Sequence, residues 1–216
     1  MTRTIQIDLA KISHFHQSDA SLPRTAQIAA RQQAVYRFRN QLLSQKLGRD
    51  VTNEDIVRTE FGKPYLQGYP DLQFNHSHSK KLYALASSSR IRDLGIDIEE
   101  LDRPVRFDAL AKHAFHSNEY QRWKDLGDDP GYWFKVWTTK EAILKAHGMG
   151  IRMSLNELDT QVHELHQGGR CEHPDLGLFA YQNLEIHGCL FTVAWRSEQS
   201  CLGLAFPQIQ LVSHPA

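Results

Sequence analysis

Gly95-Ile96-Asp97-Ile98-Glu99 alternates apolar and acidic side chains. In a β-strand alternate side chains share a face, so Ile96 and Ile98 enter a core while Asp97 and Glu99 project together from the other side. Two carboxylates on one face, one residue apart, can reach a common hard cation such as Mg²⁺. The same pattern also describes an edge strand with a wetted acidic face, and the run alone leaves both readings open. Immediately outward, Gln73–Ser77 and Leu82–Ala86 read as strands beside Leu94–Ile98. Asp102-Arg103-Pro104 then breaks the chain, which predicts a first lobe over 1–102 and a second over 103–216.

Each predicted lobe starts with helices. Pro23 suits a first helical turn, apolar residues at Ile28, Val35, Phe38, Leu42 and Leu43 approximate helical spacing, and Gly48 ends the element. In the second half Ser117 is the expected N-cap of a helix through Trp123. Asp128-Asp129-Pro130 opens a longer helix to about His147, stopped by Gly148-Met149-Gly150. Strands are expected over Leu155–Val162, Leu190–Trp195 and Leu202–Phe206. Helices followed by three strands, twice over, give an α+β fold of two similar α/β lobes in a pseudo-twofold arrangement.

With 216 residues, 41% hydrophobic and 23% charged, the composition is that of a globular protein with a real core. Lys plus Arg and Asp plus Glu both number 25, so net charge offers no argument for nucleic acid or a membrane surface as partner. No apolar run approaches the roughly 20 residues that cross a bilayer, and Met1-Thr2-Arg3-Thr4 does not lead into a signal-peptide core. Cys171, Cys189 and Cys201 form no C-x-x-C pair and are expected as reduced thiols in a cytoplasmic protein.

Three further runs carry chemistry. In Trp137-Thr138-Thr139-Lys140-Glu141-Ala142-Ile143-Leu144-Lys145, Glu141 and Lys145 share a helix face with Trp137 one turn earlier. Spacing alone favours a surface ion pair, and the functional reading needs Glu141 to meet Asp97 and Glu99 in space. In Phe74-Asn75-His76-Ser77-His78-Ser79, hydroxyls and imidazoles at a strand end suit phosphate oxygens or simply satisfy a turn. Between Ala20 and Arg49 six basic residues, among them Arg31, Arg37 and Arg39, occur with no acidic one. That stretch is a solvated helix face or a site for a phosphate-bearing ligand.

Gly62-Lys63-Pro64, Asn-x-Ser-His-Ser, Gly-Ile-Asp-Ile-Glu and Trp-x-x-Lys-Glu-Ala-x-x-Lys follow one another between Gly62 and Lys145. This ordered set resembles the Sfp-type 4'-phosphopantetheinyl transferases. The resemblance implies two related α/β lobes with coenzyme A between them. It implies Asp97, Glu99 and Glu141 as Mg²⁺ ligands, and Ser77 and His78 on coenzyme A, the histidine near the 3'-phosphate. It implies Lys63 and Pro64 beside the adenine and Lys145 on the pyrophosphate, with Arg31, Arg37 and Arg39 as candidates for the 3'-phosphate.

The implied activity is Mg²⁺-dependent transfer of phosphopantetheine to a serine of an acyl, peptidyl or aryl carrier protein. Glu141 is the expected base, directly or through a water. The expected setting is a cytoplasmic monomer, with Arg103–Lys124 as the carrier-docking segment. Two departures stand out: His76 fills a usually apolar slot, and Lys80-Lys81 follows where a small or acidic residue is usual. Another nucleotide phosphotransferase would need a phosphate loop or kinase motifs that this sequence lacks. A non-catalytic homologue that binds coenzyme A or a carrier protein would be expected to have lost a metal carboxylate or Lys145, and all are intact.

Overall fold

A computed structural model describes residues 3–150, 153–198 and 205–215. The chain runs β1 (Thr4–Lys11), α1 (Arg24–Leu47), β2 (Ile56–Arg58), β3 (Pro64–Leu66), β4 (Gln73–His78), β5 (Leu82–Ser88) and β6 (Gly95–Glu100). It continues with α2 (Phe107–Ala114), α3 (Ser117–Asp125), α4 (Pro130–His147), β7 (Gly168–His173), β8 (Gly177–Ile186), β9 (Cys189–Arg196) and β10 (Gln208–His214). The fold is α+β. One four-stranded sheet has the order β10-β1-β5-β4, another the order β6-β9-β8-β7, and β2-β3 forms a small hairpin.

The period of two in the strands builds the layers. Ile5, Ile7, Leu9, Leu82, Ala84 and Ala86 of the first sheet cluster with Ile96, Ile98, Phe191, Val193 and Trp195 of the second. The two sheets therefore bury a common core face to face. Their alternate residues turn outward to helices. Tyr83, Leu85 and Phe74 pack with Val35, Leu42 and Leu43 of α1. Tyr181, Leu190 and Ala194 pack with Ile143, Ala146 and Trp133 of α4.

The lobe boundary drawn at 102 does not coincide with the sheets. β6 precedes it yet pairs antiparallel with β9, and β10 returns at the far end of the chain to pair in parallel with β1. Asp102 and Arg103 still lie in a turn, but the two halves exchange strands across it.

Other expectations need correction. Leu155–Val162 forms no strand: Leu155–Glu157 is a single 3₁₀ turn. The segment's backbone groups are taken by side chains instead. Lys140 Nζ donates to the carbonyls of Leu155 and Leu158, and Glu119 Oε1 accepts from the Thr160 N–H at 2.9 Å. α3 is capped by His116 rather than Ser117, because the imidazole accepts from the Asn118 N–H while Glu119 accepts from the His116 N–H. The expected strand Leu202–Phe206 falls mostly outside the described residues. Helix α4 matches its expected limits, with Asp129 accepting from the Tyr132 N–H at 2.7 Å and Gly148 ending it at φ 89°. No helix among the described residues is long and apolar enough to cross a membrane. Cys171 and Cys189 are free, buried thiols, and Cys201 lies outside the described residues.

Candidate active site

Since Ile96 and Ile98 fill the core between the sheets, alternation turns Gly95, Asp97 and Glu99 toward α4. The helix approaches so closely that a Cβ on Gly95 would stand 2.2 Å from the Ala142 carbonyl oxygen and 2.4 Å from the Ala146 nitrogen. Only glycine allows this contact. It sets the Asp97 side of β6 against the helical turns that carry Trp137, Glu141 and Lys145. Lys145 Nζ lies 2.6 Å from Asp97 Oδ1, and the Trp137 side chain hydrogen-bonds Glu99.

The other wall is β4 of the first sheet. It packs on β6 without a ladder; Asn75 Oδ1 instead accepts from the Ile96 N–H at 3.0 Å. Ser77 Oγ donates to Asp97 Oδ1 at 3.1 Å and accepts from Lys145 Nζ at 3.1 Å. Asp97 is 6% exposed, so the wetted-face reading fails for it, while Glu99 is partly exposed: β6 lacks a ladder partner on this edge, and β4 and α4 cover its Asp97 side. The C-terminal end of α4 is fixed as well. Lys63 Nζ donates to the Ala146 carbonyl, and its stem packs under Gly148. Burial holds the Lys63 ammonium below its usual pKa.

The carboxylates here repel one another. Glu99 is pushed up to about 7 by burial and by Asp97, with Arg103 opposing at 2.8 Å. Burial and then Asp97 also raise Glu141, against the pull of Lys145. Asp97 Oδ2 is buried without a hydrogen-bond partner. Among the described residues no three His, Cys, Asp or Glu side chains stand close enough to form a metal cluster. Lys145 and Arg103 occupy Asp97 and Glu99 instead. Even so, the donor chemistry suits a hard divalent cation: Asp97 keeps an orphaned oxygen, it raises the proton affinity of both Glu99 and Glu141, and the ammonium and guanidinium now on Asp97 and Glu99 are flexible.

Two cavities flank this centre. One, of ≈ 370 Å³, is lined by Phe61, Lys63, Pro64, Asn75, Glu141 and Lys145. The other, of ≈ 540 Å³, is lined by Arg31, His78, Lys80, Glu99 and Arg103. Lys63, Pro64 and Glu141 therefore share one chamber and Arg31, His78 and Glu99 the other, with Ser77, Asp97 and Lys145 between them. Burial and then Arg31 keep the His78 imidazole below its usual pKa.

Arg37 and Arg39 stand apart. Arg37 is exposed and lines neither cavity. Arg39 is 3% exposed, donates to Asn40 and Asn53 and lies over the Tyr36 ring, a packing role inside the first lobe.

The Arg103–Lys124 segment is largely self-neutralised. Lys112 pairs with Asp108 at 2.7 Å, Lys124 with Asp128 at 2.7 Å, and Arg122 with Glu164. Two features of the site were not singled out from the sequence. Asn75 bridges the sheets, and Lys140, fully buried, pairs with Glu119 at 2.7 Å to hold the loop behind Glu141. The turn from Glu141 to Lys140 around α4 separates a residue facing the cavity from one facing the core.

Residues 93–200, half of the chain, match the family model of the 4'-phosphopantetheinyl transferase superfamily. The 4'-phosphopantetheinyl transferase Sfp of Bacillus subtilis (strain 168) is 30% identical over 125 residues, covering 57% of this chain and 54% of its own. The 4'-phosphopantetheinyl transferase HetI of Nostoc sp. is 41% identical over 95 residues, 42% of this chain and 40% of its own. An L-aminoadipate-semialdehyde dehydrogenase-phosphopantetheinyl transferase of Xenopus laevis is 30% identical over 120 residues, 50% of this chain and 39% of its own. The chain thus spans about half the length of these curated relatives or less.

Proposed function

The chain belongs to the 4'-phosphopantetheinyl transferase superfamily, and from that premise we propose that it transfers the 4'-phosphopantetheine group of coenzyme A to a serine of an apo acyl, peptidyl or aryl carrier protein. The observation that carries this reading is the seam itself: Lys145, Asp97 and Ser77 in mutual hydrogen-bond contact, between a chamber holding Glu141 and a basic one holding Arg31 and His78.

In this reading the carrier serine oxygen bonds to the phosphorus next to pantetheine. The bond from that phosphorus to the bridging pyrophosphate oxygen breaks, and adenosine 3',5'-bisphosphate leaves. Lys145 turns its ammonium from Asp97 to the pyrophosphate, where negative charge builds in the transition state. Glu141 accepts the serine proton, directly or through a water; burial and then Asp97 raise its proton affinity, which favours that role. Arg31 and His78 hold the 3'-phosphate, and Ser77 orients the phosphate chain. Lys63 and Pro64 wall the adenine side. Asp97, Glu99 and Glu141 would hold Mg²⁺, which supplies charge neutralisation at the linked phosphates.

The division of labour follows the two halves, with 1–102 on the coenzyme A side and 103–216 carrying α4 and the docking segment Arg103–Lys124. In that segment Arg106 is exposed and enters no ion pair among the described residues, so it is the cation open to an acidic partner. The enzyme acts as a cytoplasmic monomer. The test is to incubate the protein with an apo carrier protein, coenzyme A and Mg²⁺ and read the carrier's intact mass. A gain of one phosphopantetheine supports the reading. Binding of coenzyme A by calorimetry without any mass gain would replace it with a non-catalytic binder.

A further inference from the structure

Away from the seam, a cavity of ≈ 470 Å³ lies between the end of β1, the segment that follows it and the β4–β5 turn. Lys11, His16, Arg31, Lys80, Lys81 and His187 line it, and no carboxylate does. Lys81 is neutralised by Asp102 at 2.7 Å and Glu100 at 3.9 Å. Lys11 and Lys80 enter no ion pair among the described residues; Asp102 reaches Lys80 electrostatically, but its carboxylate is held by Lys81. Arg31 Nε and His16 Nε2 are buried without hydrogen-bond partners in the same wall.

Cationic groups left without counter-charge beside desolvated donors favour an anion over water. The volume is that of a small-molecule site and exceeds what a bare phosphate fills. We propose that this cavity is a second anion subsite that binds a phosphate monoester, its dianionic head between Lys11, Lys80 and Arg31. Lys80 belongs to the lysine pair by which the sequence departs from the family pattern, so the subsite is a property of this chain. Arg31 and Lys80 also line the chamber that holds His78, and Lys11 does not. An occupant therefore competes for a guanidinium that the preceding section gives to coenzyme A; that consequence rests on the preceding reading, whereas the subsite does not.

The subsite is tested by ¹H–¹⁵N imidazole spectra of the whole protein, titrated with inorganic phosphate and separately with phenyl phosphate, with ionic strength held constant by chloride. The His16 and His187 ring signals are expected to shift saturably. In a Lys11→Ala/Lys80→Ala variant, whose two lysines are exposed, the same shift should need at least about tenfold more ligand. Phenyl phosphate saturating at lower concentration supports a monoester; tighter inorganic phosphate overturns that choice. A response confined to His78, or equal saturation in wild type and variant, overturns the subsite. Neither result depends on any transfer activity.

Discussion

Lys145 Nζ lies 2.6 Å from Asp97 Oδ1, so α4 and β6 are joined at the point where Ser77 of the other sheet also arrives. The ammonium is the pair's movable half: its side chain is 31% exposed against 8% for Asp97. Lys145→Ala is expected to lower kcat on the order of 10²–10³-fold, the scale for removing one preorganised charge at a transition state. It should also cost about 1–3 kcal/mol of stability, since a buried carboxylate loses its partner while water reaches part of the site. Steady-state kinetics and urea unfolding check the two effects separately.

Gly95 is the contact on which the site's placement depends. A methyl group there collides with backbone of α4 at Ala142 and Ala146, which no side-chain rotation relieves. Gly95→Ala should destabilise by about 3 kcal/mol or more, read as a lower urea midpoint. An Ala variant with unchanged midpoint would mean the helix does not rest on the strand.

The fully buried Lys140 pairs with Glu119, itself 2% exposed. Burial works against the Lys140 charge and the Glu119 carboxylate restores it. Lys140→Met strands that carboxylate and is expected to cost about 3–5 kcal/mol. Lys140→Met/Glu119→Leu should recover part of the loss, so a double-mutant cycle gives a coupling well above the error of additivity.

The sequence conveyed local signals well and long-range ones poorly. The limits of α4 were legible because Asp129-Pro130 and Gly148 act within one turn of their own positions. The strand Gly95–Glu100 was legible because period two is a local pattern. By contrast, β10 joins β1 across almost the whole chain, and nothing local records which sheet a terminal strand completes. Leu155–Val162 looked like a strand from its apolar residues, yet Lys140 and Glu119 take its backbone groups from afar. For the site, Asp97, Glu141 and Lys145 could be named from motifs, while the role of Asn75 depends on how two sheets face each other. Arg39 looked the same as Arg31 in sequence; only burial distinguishes a packed guanidinium from one lining a cavity.

His76 gives the protein a pH signature. It sits against Tyr36 and Tyr83, its Nδ1 buried without a partner, and burial followed by Arg39 lowers its pKa from 6.5 to about 3. Between those values the unfolded chain binds a proton that the folded chain refuses. Stability should therefore fall as pH drops from about 6.5 toward about 3, with a slope from this residue of at most about 1.4 kcal/mol per pH unit. In urea titrations across that range the wild type should lose stability relative to His76→Leu as pH falls, so the gap between the two curves changes least near pH 7 and most toward low pH. Parallel curves would mean the imidazole titrates normally in the fold.

The central claim is that Glu141, at the seam with Asp97 and Lys145, takes the proton during phosphopantetheine transfer. The direct measurement is the intact-mass time course of an apo carrier protein with coenzyme A and Mg²⁺, using wild type and Glu141→Gln at equal concentration. The account predicts stoichiometric conversion by the wild type and a rate lower by a factor on the order of 10² or more for Glu141→Gln. Equal rates for the two proteins, with the carrier fully converted, would contradict it.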